Sequence, residues 1–393
     1  MRRLTNKLVK IGIYIVALPG LFLFCKEKLT QTDSRQFTLQ VTVQDTSFVT
    51  RSIFEDSSHT AVPGARVKLM SLHHDLIYEA VTESEGSVWL KNIVPGMYNC
   101  TVTKLYTRDT VKKYLPLDQD ISLSASMSAI PLEQSGEPIR VTVEPIFSSN
   151  VVISEIYYNG APSPPAYYFH DQFTELYNNS DEIIYLDQYA IGDVAYGYRE
   201  DDPHMLHCIH LYQFPGQGMD YPLYPGEMIV VAQDAVDHLE YNTRSVDLSA
   251  ADFEYYNHLS SDIDNHNVPN MVQLHHKYGH DFLYSVFNDA VVLFELTAAD
   301  TTWTYDSFNH VLVPVERVVD GVEYREITTQ YQYKRLPDKI DSGIGGGIPA
   351  YKGKSIIRKV FRQTGSKFIL MDNNNSSVDF KVSDQPTPAK IDG

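Results

Sequence analysis

The chain is poor in cysteine and tryptophan, with three and two among its 393 residues. So few thiols exclude a disulfide-framework fold, and no C-x-x-C pair offers a zinc knuckle or a dithiol redox centre. Positive charge is scarce too. Lys and Arg number 32 against 50 Asp and Glu, a formal net charge of −18. A surface so negative repels phosphate backbones, which argues against nucleic acid as a partner. Helical periodicity is thin, with residues 235–239 and 253–259 expected to form a turn or two. There is no coiled-coil heptad and no internal repeat. Neither an HExxH metal motif nor a Gly-x-Ser-x-Gly nucleophile elbow occurs.

What is present reads as globular: 43% hydrophobic residues and 12% aromatic, including 27 Tyr. This length allows two or three domains with real cores. At the N-terminus Arg2, Arg3, Lys7 and Lys10 precede an apolar run at 11–24, the pattern of an export signal. The run is short for a membrane span, which needs roughly 20 residues. It ends at Cys25, which looks like a bacterial lipoprotein acceptor, although Phe24 stands where Gly, Ala or Ser is usual. An uncleaved anchor is the alternative. Residues 26–36 are polar and read as a tether. Cys100 and Cys208 fall in different predicted domains and are expected to be lone buried thiols rather than a disulfide pair.

Residues 37–49 alternate apolar and polar positions, a half-buried strand. Then follow Val62-Pro63-Gly64-Ala65-Arg66-Val67-Lys68-Leu69, Val81-Thr82 with Gly86, Val88-Trp89-Leu90 and Val94-Pro95-Gly96-Met97-Tyr98. Each Gly marks a turn, and Tyr98 is placed to pack across a sandwich. That order resembles the transthyretin-like, or carboxypeptidase-regulatory-like, β-sandwich over residues 37–145. The resemblance implies a non-catalytic spacer or docking platform. A very short linker at 147–150 leads into the second part.

The stretch 151–193 holds apolar runs at 151–158, 173–177 and 183–191, rich in Val, Ile, Tyr and Phe and bounded by turn residues, so three strands are expected. The same residues resemble the opening of the lamin-tail domain, an immunoglobulin-like β-sandwich, through 153–156 (ISEI), 173–178 (FTELYN) and the run ending at Ile191. Tyr224-Pro225-Gly226-Glu227 with MIVVAQDA, 288–296 (NDAVVLFEL) and 372–380 (DNNNSSVDF) fit later parts of that pattern. The expected fold is therefore all-β, two immunoglobulin-like β-sandwiches in tandem. The second, 148–393, carries long loop insertions at 160–172, 195–222 and 234–280. Long loops on a rigid scaffold are where binding residues tend to sit.

Nine of the fourteen histidines lie between His204 and His280. Imidazole binds zinc, copper and iron, so His204, His207 and His210 are candidate metal ligands, although their i, i+3, i+6 spacing does not put all three on one face of a strand. Ordinary hydrogen bonding in a polar loop is the plainer alternative. Glu155 and Glu175 lie on strands expected to pair, and facing carboxylates can divide acid and base roles. No third residue completes a site, so no catalytic residue is assigned. The 262–267 stretch begins like a calcium loop but has Asn267 and Gln273 where an EF-hand needs Gly and Glu. A loop calcium would have to be built differently. The glycine-rich 343–355 stretch has the wrong spacing for a phosphate loop and continues as a strand. Tyr167, Tyr168, Tyr196, Tyr198, Tyr255 and Tyr256 fall in the insertions and are candidate contact residues, since Tyr offers large area at low entropic cost.

The whole architecture looks like an uncharacterised family of lipoproteins from Bacteroides-type bacteria. That resemblance implies a non-enzymatic outer-membrane lipoprotein, anchored through Cys25 and facing the periplasm or the cell exterior. It would act as a binding or accessory module, for instance for a TonB-dependent β-barrel transporter. Two rival expectations are a metal- or cofactor-capture protein, with Zn or Ca as candidate ions, and a surface hydrolase using Glu155 or Glu175.

Overall fold

Alternation at the start of the chain produces a strand with one buried face. Phe37, Leu39, Val41 and Val43 are buried, and the positions between them are partly exposed or exposed. The computed structural model describes residues 36–391 apart from 75, 118–119, 135, 148 and 298–301. Cys25, its apolar leader and tether residues 26–35 lie outside the described residues. Among the described residues no helix is long and apolar enough to cross a membrane.

The chain is all-β, and its first part forms one seven-stranded sheet. Across the sheet the strands run Ile77–Val81, Arg66–Ser71, Gly96–Tyr106, Ile121–Leu132, Ile139–Phe147, Phe37–Asp45 and Ser87–Ile93. Every neighbouring pair is antiparallel except Phe37–Asp45 with Ile139–Phe147. The two end strands meet, so the sheet curls around a core that includes Val41, Val67, Leu69, Tyr98, Cys100 and Val102. Tyr98 is fully buried, and its hydroxyl donates to the Val94 carbonyl at 2.6 Å. Two short helices, Phe48–Ile53 and Arg108–Tyr114, add the buried Val49 and Val111 to this core. Ser47 caps the first by accepting from the Val49 N–H at 3.1 Å. Both helices are too short for a 3.6-residue period to declare itself in sequence.

The second part is a sandwich of two sheets. One runs Phe253–Glu254, Met228–Ala232, Phe173–Asn178, Val151–Tyr157, Ser355–Arg358 and Phe380–Ser383. The other runs Val272–His276, Met205–Gln213, Tyr189–Val194, Asn288–Glu295, Val318–Arg325 and Gly345–Gly346, with Val311–Pro314 also paired to Met205–Gln213. Ile153, Leu176, Ile191, Val291, Leu293 and Tyr324 fill the space between the sheets. A second apolar layer, including Ala190, Cys208, Val292, Val311 and Leu336, covers the far face of the sheet that holds Met205–Gln213. Asn288–Glu295 is thus buried on both faces, which is why its residues 290–294 are continuously apolar rather than alternating.

Two expectations are corrected here. The 183–191 run is not one strand. Ile184–Tyr185 pairs with Pro222–Leu223, a 3-10 turn follows at Leu186–Gln188, and Tyr189–Val194 then joins the opposite sheet. Buried Asp187 holds that corner by accepting from the backbone N–H groups of Gly218 and Asp220. The 195–222 insertion, expected as a loop, carries the nine-residue strand Met205–Gln213 in the body of a sheet. Its histidines interrupt the apolar run, yet His207 and His210 are both buried.

From Gln36 onward the chain forms one compact unit. Polar contacts tie the first sheet to the closing segment: Ser122 Oγ meets Asn373 Oδ1 at 2.9 Å, and Asn375 Nδ2 donates to Ser126 Oγ at 3.0 Å. The closing segment is in turn pinned by Arg358. Its buried guanidinium donates to Asp320 Oδ2 at 2.5 Å and to the Ile153 carbonyl at 2.8 Å, and lies 3.5 Å from Asp372 and 3.8 Å from Asp379.

Candidate functional site

Glu155 and Glu175 are directly opposite on paired strands and both are buried. Their carboxylates are engaged by the C-terminal segment. Glu155 accepts from the Thr387 N–H at 3.0 Å and the Thr387 hydroxyl at 2.7 Å. Glu175 accepts from the Ala389 N–H and the Ser154 hydroxyl, each at 2.7 Å. Lys390 and Ile391 line the narrow cleft beside them. Burial foremost, against the Ser154 bond and reinforced by the Glu155 charge, pushes the Glu175 carboxyl up to about 8. The pair anchors the end of the chain to the sheet.

The three candidate histidines do not converge. His204 is exposed ahead of its strand. His210 is turned to Asp193, 3.1 Å from its Nδ1, and its Nε2 meets the Tyr278 carbonyl at 3.2 Å. His207 and His210 hold different carboxylates, Asp306 and Asp193. His207 instead meets residues about 100 positions further on. Its Nδ1 donates to Asp306 Oδ2 at 2.8 Å, and His310 Nδ1 donates to the same oxygen at 2.8 Å. The three side chains are at most 10% exposed.

Local structure explains the convergence. Val311–Pro314 pairs antiparallel with Met205–Cys208, placing His207 opposite Leu312. The turn before that strand closes through the Asp306 N–H donating to the His310 carbonyl, with Asn309 in the left-handed region at φ 62°. Asp306 Oδ1 accepts from the Phe308 and His310 N–H groups, both at 2.8 Å, which aims Oδ2 at the rings. Burial works to raise the Asp306 carboxyl, but these backbone and imidazole bonds hold it well below the usual carboxylate range. Tyr198 stacks on His207 at 3.8 Å, and the His207 Nε2 lies 3.4 Å from Asp202 Oδ2. Lys277 Nζ meets His310 Nε2 at 2.8 Å.

Residues 224–387 match the family described as "Protein of unknown function (DUF4876)". A crystal structure of a DUF4876 family protein from Bacteroides thetaiotaomicron aligns with 88% of this chain and 94% of its own. The identity is 24% and the TM-score 0.55, a likeness that speaks for a shared fold. None of the curated proteins compared with the chain matches it. Asp306 and His310 fall inside the matched segment, whereas Tyr198, Asp202 and His207 precede it. The cluster is therefore assembled across the segment's N-terminal boundary.

The tyrosines divide three ways. Tyr167 is 64% exposed and packs on Tyr351 at 4.8 Å, while Tyr168 stacks on the exposed Tyr241 at 5.7 Å. The Tyr168 hydroxyl also donates to His238 Nδ1 at 2.8 Å, since His238 Nε2 is used on the Asp234 carbonyl. Tyr198 belongs to the histidine cluster, and exposed Tyr196 lies edge-on to Tyr333 at 5.8 Å. Tyr255 is corrected. It is buried in the sandwich core, with its hydroxyl 3.2 Å from that of Tyr284, because Phe253–Glu254 joins the sheet and carries the next residue inward. Tyr256 is partly exposed. In the 262–267 loop, Asp262 accepts from the Asn257 and Ile263 N–H groups, and Asp264 bonds Asn270 and His266, so these carboxylates serve the loop itself. Cys100 and Cys208 are both free and buried, and burial pushes the Cys100 thiol up to about 12.

Proposed function

We propose that this chain is a non-catalytic binding module of an outer-membrane lipoprotein, held through Cys25, that grips a β-barrel transporter of the same membrane. The observation carrying this reading is the aromatic surface at Tyr167, Tyr241 and Tyr351. It gathers Tyr167 and Tyr168 from the 160–172 loop, Tyr241 just after the turn His238–Glu240, and Tyr351 from the loop before Ser355–Arg358, with Tyr167 on Tyr351 and Tyr168 on Tyr241. Tyr167 and Tyr241 are both more than half exposed. Aromatic anchors backed by other rings are rigid and lose little entropy on contact, which suits them to hot spots. The facing glutamates support a binding role over hydrolysis, since the chain's own C-terminal segment occupies both. Signal-like residues 1–25 and the tether supply the membrane attachment in this reading.

The test is a cross-linked pull-down of tagged full-length protein from native outer membranes, read by mass spectrometry. Recovery of one TonB-dependent β-barrel in near-equal amount, lost in Tyr167→Ala and Tyr241→Ala, supports the reading. Recovery of the bait alone would sink it. A Cys25→Ala variant should leave the membrane fraction; retention there would point to the uncleaved anchor instead.

A further inference from the structure

The histidine cluster carries an inference independent of any partner. Two imidazoles and one carboxylate present Nδ1, Nδ1 and Oδ2 within 4.8 Å of one another, in side chains that are almost fully buried. The carboxylate is fixed from behind by two backbone N–H groups, so it is aimed before any ion arrives. A transition metal bound at about 2.1 Å would place adjacent octahedral ligands about 3.0 Å apart and tetrahedral ones about 3.4 Å apart. The 2.8 Å separations already on the page are close to the octahedral spacing. We propose that His207, Asp306 and His310 bind one divalent transition-metal ion of the zinc, cobalt or iron class, with the remaining positions open.

The protons make this specific. In the metal-free arrangement each ring donates an Nδ1–H hydrogen bond to Asp306, which ties up the Nδ1 lone pair a metal would need. On binding, the metal takes that lone pair, so a neutral ring must carry its proton on Nε2. For His207 the acceptor is in place: Asp202 Oδ2 lies 3.4 Å from an Nε2 that is buried and makes no hydrogen bond. That is the carboxylate–histidine–metal arrangement that orients a ligating ring and raises its basicity. For His310 the reverse holds. The Lys277 ammonium can only donate, so at 2.8 Å it holds His310 in the Nδ1–H form and must leave before the ion enters. It has somewhere to go, because Nζ already lies 4.9 Å from the centre of the half-exposed Tyr278 ring. Lys277 is thus a gate on the site, and Asp202 a positioning residue.

The test is calorimetric titration of chelator-treated full-length protein with Zn2+ and with Co2+, alongside the visible absorption of the Co2+ form. One equivalent is expected. His207→Ala and His310→Ala should each weaken it by about a hundred-fold, and Asp202→Asn by about ten-fold. His204→Ala and His210→Ala should leave affinity unchanged. Lys277→Met should tighten binding by about ten-fold, a gain that no folding defect would mimic. The proposal is overturned if neither wild type nor Lys277→Met binds a stoichiometric ion. It is equally overturned if binding survives in a folded His207→Ala, His310→Ala double variant.

Discussion

Tyr158 and Tyr324 stack between the two large sheets, with ring centres 3.5 Å apart and planes 15° from parallel, and neither is exposed. Their hydroxyls have opposite circumstances. Tyr324 donates to the Ser285 carbonyl at 2.7 Å, whereas the Tyr158 hydroxyl is buried with no hydrogen-bond partner. It lies beside Gly346, only 2.9 Å from where a Cβ there would stand, at a φ of 95° that favours glycine. Replacing either Tyr by Phe keeps ring volume and stacking, so the two substitutions isolate the oxygens. Tyr324→Phe loses a bond worth about 1 kcal/mol and leaves a carbonyl short of its donor. Tyr158→Phe removes an unpaired buried hydroxyl whose desolvation costs about 1–2 kcal/mol. Opposite shifts follow. At about 2 °C per kcal/mol for a large domain, Tyr158→Phe should raise Tm by roughly 2–4 °C and Tyr324→Phe should lower it by a similar amount. Scanning calorimetry on the two variants and the double variant reads both. A fall in Tm for Tyr158→Phe would refute the reasoning, because it would mean that the hydroxyl is satisfied in solution.

Three further outcomes are expected. Glu175 has its carboxyl raised to about 8, so the stability present with that group protonated is lost as pH rises from its unfolded value through 8. Thermal unfolding should show Glu175→Gln level with wild type near pH 4 and more stable at pH 9; equal curves at both would refute it. Asp306 has the opposite sign. Its depressed carboxyl stabilises the fold above the unfolded value near 4, and that contribution fades only below it. Asp306→Asn should therefore lower stability by about 1–3 kcal/mol at pH 7 and converge on wild type at strongly acid pH, as read by urea titration. Arg358→Met leaves Asp320, Asp372 and Asp379 buried without their shared cation and should cost about 3–5 kcal/mol, visible in the urea midpoint.

The strands most legible in the sequence are those with one buried face or with a run rich in Val, Ile, Tyr and Phe. Phe37–Asp45 alternates, Val151–Tyr157 and Phe173–Asn178 are buried at every position, and the sequence delimits all three to within a residue or a few. Met205–Gln213 was hidden because its buried positions include His207 and His210, whose polarity is satisfied by Asp306, Asp193 and a carbonyl rather than by water. Tyr255 is hard to place from sequence for the converse reason. A tyrosine in a polar insertion reads as surface, but a hydroxyl partner on Tyr284 lets it lie in the core.

By itself the chain determined its class: period-two apolar patterning with turn residues between the runs can bury its surface only as packed sheets. It also determined that thiols would not hold the fold, since three cysteines cannot staple a chain of this length. Only tertiary structure decided which histidine matters. Asp306 and His310 sit three intervening residues apart in a turn, a signal too short to stand out. What joins them to His207 is the antiparallel register of Val311–Pro314 on Met205–Cys208. Such registers are set by cooperative packing of both strands against the same core, and no local pattern within either one encodes the partner.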